Sequence, residues 1–135
     1  MSELKYKETT EKIIGAAMRV HAALGNGFQE VIYQRALAIE FMEIKMPFER
    51  EFNMKVYYKN LEVGERRVDF LVDGKIMVEL KALVNLESVH LAQAKNYLEA
   101  YNVEVGLLIN FGSQSPQFKR LENQKYKSSN VSTQS

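Results

Sequence analysis

Three residues of the stretch RRVDFLVDGKIMVELKAL (residues 66–83) combine types and spacing that suit chemistry: Asp69, Glu79 and Lys81. Two apolar-rich runs flank Asp73-Gly74, a common hairpin turn signal. Asp69 lies on the first run. Glu79 and Lys81 lie on the second, two residues apart, so on a strand they project to the same side. Two acids and a lysine at one spot on a sheet suit a divalent metal held beside a cation. Phosphodiester hydrolysis needs charge neutralised on the phosphate and a water made nucleophilic. Mg²⁺ does both, prefers oxygen ligands and takes one or two carboxylates, with waters and phosphate completing its shell. Asp69 and Glu79 supply the carboxylates, and the backbone carbonyl of Leu80 supplies a further oxygen. Lys81 either stabilises the developing negative charge or helps to position the water. A Glu-x-Lys triplet alone is weak, because such triplets are common on exposed strands as solvated charge. Asp69 on the preceding strand strengthens it.

The two acids meet only if the hairpin has the right register. A two-residue loop at Asp73-Gly74 pairs Val72 with Lys75, sets Asp69 against Val78 and turns Glu79 to the opposite face. A three-residue loop, Val72-Asp73-Gly74 with Gly74 left-handed, pairs Leu71 with Lys75 instead. Asp69 then faces Met77, diagonal to Glu79 on the same side, close enough to share a ligand. The apolar pattern favours the second register. It gathers Val68, Phe70, Ile76, Val78 and Leu80 on one face. Asp69, Leu71, Lys75, Met77, Glu79 and Lys81 occupy the other.

The remaining elements must position this hairpin. Residues 9–24 repeat Ile13, Ile14, Ala17, Met18, His21 and Leu24 at helical spacing, and Gly25 suits a helix stop. A second helix is predicted over 29–45, with an apolar stripe of Val31, Ile32, Leu37, Ala38, Phe41 and Met42, ended by Met46-Pro47. Glu30 sits in its first turn, where the helix dipole favours a carboxylate. Tyr33 follows three residues on. Residues 48–63 suit strands, with Lys59-Asn60 as a turn. Strands are predicted over 61–72 and 75–83. A helix over 86–101, with Ser88 as N-cap, buries Leu91, Ala94, Leu98 and Tyr101 and places His90, Gln93 and Tyr97 along its border. The run VEVGLLINF (103–111) reads as a strand covered on both faces. A right-handed crossover makes it parallel to the strand bearing Glu79. A short edge strand is predicted over 118–121. The fold class is therefore α/β. A central mixed sheet, comprising a three-stranded antiparallel meander plus a parallel strand after a crossover helix, is flanked by helices.

The bulk numbers set limits. At 135 residues, 46% hydrophobic and 26% charged, the chain suits one globular domain over residues 1–122, with a polar, disordered tail over 123–135. A net charge of +1 argues against wholesale electrostatic coating of nucleic acid, so contacts must come from a local patch. Arg66, Arg67, Lys75, Lys95, Lys119 and Arg120 are candidates for it. The absence of cysteine excludes disulfides and thiolate metal sites and fits a cytoplasmic protein. The polar start lacks a signal-peptide core, and no apolar run is long enough to span a bilayer.

The arrangement resembles the PD-(D/E)xK nuclease superfamily, with Asp69 as the first acid and Glu79-Leu80-Lys81 as the (D/E)xK part. Val68 replaces the motif's proline. Gln93-Ala94-Lys95-Asn96-Tyr97 resembles the QxxxY motif of the RecB-like branch. Gly27-Phe28-Gln29-Glu30-Val31-Ile32-Tyr33 resembles the signature of the GxxExxY proteins. The resemblance spans residues 13–111 and implies a restriction-endonuclease-like fold. It also implies metal-dependent hydrolysis of nucleic acid, DNA foremost, with Mg²⁺ or Mn²⁺ as cofactor. Glu30 then becomes a third acid and metal ligand, and Gln93 and Tyr97 help to bind substrate. His21, His90 and Tyr33 are further candidates for substrate binding, set against ordinary roles in core or surface. A homodimer is left open, since so small a domain covers little duplex. The alternative is a non-catalytic nucleic-acid- or protein-binding module that keeps the nuclease fold. Hydrolysis of RNA or a nucleotide would use the same chemistry.

Overall fold

The structure is a computed structural model that describes residues 4–128. Eight elements follow in order: α1 (Lys7–Leu24), α2 (Glu30–Glu43), β1 (Phe48–Tyr58), β2 (Leu61–Val72), β3 (Ile76–Lys81), α3 (Ser88–Ala100), β4 (Val105–Asn110) and β5 (Gln117–Glu122). The strands form one sheet in the order β1-β2-β3-β4-β5. All neighbours are antiparallel except β3 and β4, which are parallel and joined through α3. This is the expected mixed sheet with a crossover helix. β4 is buried along its whole length and β3 along all but Lys81, as continuous apolar strands covered on both faces should be.

Helix α1 buries Ile13, Ala16, Ala17 and Val20, one stripe at spacings of three and four. Its partner α2 buries Tyr33, Gln34, Leu37, Ala38 and Phe41. The expected stripe is corrected here, since Val31 and Met42 are exposed. The face centred on Tyr33, Leu37 and Phe41 excludes both positions. These two helices cover one side of the sheet, above Phe70, Val72, Ile76, Val78, Leu80 and the inward residues of β4. On the other side, Leu98 of α3 packs with Met54, Val68 and Met77. A Cβ on Gly106 would press into the Leu98 side chain, so α3 lies directly on β4. Glu87, rather than Ser88, is the N-cap of α3.

The hairpin carrying the acids has an odd, three-residue turn, displaced by one position from the expected one. The pairs are Leu71↔Met77 and Val72↔Ile76, so the loop is Asp73-Gly74-Lys75. Both Asp73 (φ 54°) and Gly74 (φ 64°) are left-handed, a conformation that aspartate and glycine tolerate. Val72, fully buried, stays in the strand and Lys75 leaves it. This corrects the pairing of Leu71 with Lys75 and of Asp69 with Met77. Continued one step past Phe70↔Val78, where the pairing stops, this register would set Asp69 level with Glu79.

The expected single apolar face also changes hands partway. Phe70 and Val72 belong to the core under α1 and α2, whereas Val68 joins the core under α3. Strand β1 does the same, with Phe48 against the first core and Phe52 and Met54 in the second. The switch falls where Arg50↔Phe70 and Phe52↔Val68 pair but Glu51 and Asp69 do not. Glu51 is left-handed there, at φ 54°. This local turn-over of the backbone resembles a bulge, a device that re-aims a side chain.

Beyond β3 and β4 the two chain exits cross. Asn110, with no exposure, accepts from the Leu83 N–H at 2.8 Å and donates to the Leu83 carbonyl at 2.9 Å and to Gln117 Oε1 at 2.9 Å. Gly112 passes so close to Ala82 and Leu83 that no side chain fits. Asn123 bonds to Glu104, Leu98 and Val103, and Lys127 to Asn102. The start of the segment read as a disordered tail is thus tied to the α3–β4 connection, and residues 129–135 lie outside the described residues. Asn110→Ala would leave both main-chain groups of Leu83 without their partner. We expect urea denaturation to show a loss of about 2–4 kcal/mol. A loss below about 0.5 kcal/mol, the range of ordinary surface changes, would contradict the assigned role.

Candidate active site

The site forms where the β2–β3 ladder stops. Side chains continue the bonding that main chain would otherwise make. The Asp69 N–H donates to Glu79 Oε1 at 3.1 Å, and the Leu80 N–H donates to Asp69 Oδ2 at 2.8 Å. Gln34 Nε2 donates to Asp69 Oδ1 at 2.7 Å from α2. Arg66 Nη2 completes the set on Glu79 Oε2 at 2.5 Å. Each oxygen of the two carboxylates therefore accepts one hydrogen bond.

Burial makes this costly. Glu79 is only 3% exposed. Desolvation first and the neighbouring Asp69 second raise its pKa, Arg66 and the Asp69 N–H oppose the rise, and the net result is about 7. Asp69 is also pushed up by desolvation, against the pull of the Leu80 N–H, Gln34, Arg66 and Lys81. Glu30 is exposed as a residue, yet its carboxyl is raised by desolvation and then by Asp69, with Lys81 and Arg66 opposing. Glu30, Asp69 and Lys81 thus feel one another's charge, and so do Asp69 and Glu79. Perturbed acids gathered in this way are a feature of functional sites.

The other sequence candidates take different places. Tyr97 lies under the Arg66 guanidinium, whose carbon is 4.5 Å from the ring centroid. It therefore reaches the acids through Arg66. Gln93 is exposed, one turn earlier on α3. His90 accepts the Glu87 N–H on Nδ1 at 3.0 Å, which occupies that nitrogen in capping α3. His21 is buried, with Nε2 3.0 Å from the Ser113 carbonyl and its ring against Phe111. Tyr33 has no exposure, stacks on Phe111 at 4.6 Å, donates to the Gly25 carbonyl at 2.6 Å and accepts from the Phe28 N–H at 3.1 Å. Tyr33 is thus sealed in the core, with its hydroxyl engaged by main chain rather than open to solvent. Its hydroxyl fixes the loop that delivers Glu30. Gln34 was missed, although its position one helical turn after Glu30 put it on the same face.

Among the described residues, no group of three His, Cys, Asp or Glu side chains is drawn together tightly enough to hold a metal ion. Asp69 and Glu79 are nonetheless a hard-oxygen pair, which suits a cation that takes one or two carboxylates. The residues define an α/β domain whose central hairpin carries an acidic pair and a lysine. The chain belongs to the PD-(D/E)XK nuclease superfamily, whose family model matches residues 7–121. The crystal structure of SSO0001 shares the fold, with a TM-score of 0.55 at 16% identity. The match covers 87% of this chain and 59% of that one, so this chain spans about three fifths of its length. No curated protein matches. The architecture is thus restriction-endonuclease-like. Among the described residues, no helix is long and apolar enough to cross a membrane.

The raised pKa of Glu79 has a stability consequence in the metal-free protein. A carboxyl whose folded pKa lies above its unfolded value favours the fold most when protonated. That contribution is complete below about pH 4.5 and is lost as pH rises to about 7. Glu79→Gln should therefore match the wild type near pH 4 and exceed it above pH 7 by on the order of 2–3 kcal/mol. Thermal melts across that range in the presence of chelator test this. A variant less stable than wild type at pH 8 would contradict it.

Proposed function

We propose that the chain is a metal-dependent nuclease that hydrolyses phosphodiester bonds, with DNA as the substrate class. Within the superfamily it is best read as a GxxExxY-type protein of the RecB-like branch, on the strength of Gly27–Tyr33 and Gln93–Tyr97. The carrying observation is the bonded pair Asp69–Glu79 at the end of the β2–β3 ladder, two residues before Lys81. Asp69, Glu79 and the Leu80 carbonyl would hold Mg²⁺ or Mn²⁺, with Glu30 as a third acid from α2. Bound there, the ion would neutralise phosphate charge and acidify a water. Lys81 stabilises negative charge on the phosphate or orients the water, while Gln34 fixes the carboxylate plane of Asp69. Gln93 and Tyr97, on α3, form the substrate side. The cytoplasm is the expected compartment, and a homodimer would widen the duplex covered.

Purified protein should cut DNA with Mg²⁺ or Mn²⁺ and not with chelator. Asp69→Ala, Glu79→Ala and Lys81→Ala should each lower the rate by about 10³-fold or more, the scale of a lost charge-stabilising group. Cleavage that survives all three would reject the assignment. A non-catalytic binding module draws on one observation, that Arg66 already forms an ion pair with Glu79. DNA binding with neither cleavage nor metal uptake would favour it.

A further inference from the structure

We propose that Arg66 is the internal counter-ion of the acidic site, competing with a divalent cation for Glu79 and leaving that carboxylate when the cation binds. The inference rests on the metal-dependent reading above. Of the four donors on the acidic pair, two are main-chain N–H groups set by the strands and one is the neutral Gln34 amide. Arg66 alone among them is charged, and it stands 2.5 Å from Glu79 Oε2. A metal ion ligated by that oxygen would meet the guanidinium at close range, where like charges repel strongly at low dielectric. One of the two must give way.

Arg66 is built to be the one that yields. Its side chain is 35% exposed, against 4% for that of Glu79. Its guanidinium rests on the Tyr97 ring, a cation–π contact that does not depend on Glu79. Its Nε is buried without a hydrogen-bond partner, as is the hydroxyl of Tyr101, the residue that caps the C-terminal end of α3. A permanently anchored arginine would have its donors filled, since buried polar groups are nearly always paired. The present pose therefore satisfies Glu79 better than it satisfies Arg66. With a metal present, the guanidinium can leave Glu79 while keeping its aromatic seat.

Calorimetric titration of Mn²⁺ into wild type, Arg66→Gln and Arg66→Lys tests the competition in buffer well above the carboxylate range. Arg66→Gln removes the charge and should bind Mn²⁺ about tenfold more tightly, whereas Arg66→Lys restores a competing cation and should return towards wild type. Unchanged or weaker binding by a folded Arg66→Gln would overturn the inference. Should that variant fail to fold, the wild type gives a second reading. The Arg66 Nε–H resonance should shift as Mg²⁺ saturates the protein, and an unmoved resonance overturns the proposal. The two readings can fail separately. Wild-type Mn²⁺ binding that is lost in Glu79→Ala but indifferent to Arg66→Gln defeats only the competition. No Mn²⁺ binding by the wild type defeats both.

Discussion

Glu79 is a carboxylate almost sealed from water with the Asp69 carboxylate as its neighbour, and much of the local structure answers that one constraint. Buried charge is expensive unless it is paired and hydrogen-bonded. Here the answer comes from four directions: the Asp69 and Leu80 main chain, Gln34 from α2 and Arg66 from farther along β2. It is incomplete, because Glu79 remains raised to about 7. The rise comes first from burial and then from the neighbouring Asp69 carboxylate, and a bound cation would oppose it.

The backbone makes the constraint possible. If β2 continued to pair with β3 past Phe70, the amide of Asp69 would be absorbed by the ladder. The left-handed residue at Glu51 and the change of face at Asp69 end the regular pairing there. The same change of face carries Arg66 to the α3 side, where it meets Glu79 and Tyr97. From the opposite layer, the Tyr33 hydroxyl holds the α1–α2 loop and so sets where α2 begins, with Glu30 as its first residue. Asn110 and Gly112 lock the strand exits just beyond Lys81.

The order and type of the elements were legible in the sequence because helical and strand periods are separated cleanly by turn residues. The parallel pairing of β3 and β4 followed from the crossover helix. The odd turn at Asp73-Gly74 was legible too, through the segregation of Phe70, Val78 and Leu80 from Leu71, Met77 and Glu79. Its exact pairing was not, because aspartate shares the left-handed role with glycine. The change of face at Asp69 was hidden for a related reason. Val68 is apolar and suits either core, so alternation alone carries no mark of the switch. Arg66 looked like one surface cation among several, and only the switched face brings it to Glu79. Tyr33 and His21 read as site candidates because they lie near Glu30 in sequence or on an apolar face, yet packing engages their polar atoms elsewhere.

The proposed nuclease function requires Asp69 and Glu79 to hold a divalent cation jointly. Anomalous diffraction from crystals grown with Mn²⁺ tests it most directly. The expected result is a metal peak shared by one oxygen of each carboxylate, with the Leu80 carbonyl in its shell and Arg66 withdrawn from Glu79. A fully occupied metal bound elsewhere, with the Arg66–Glu79 pair intact, would contradict it.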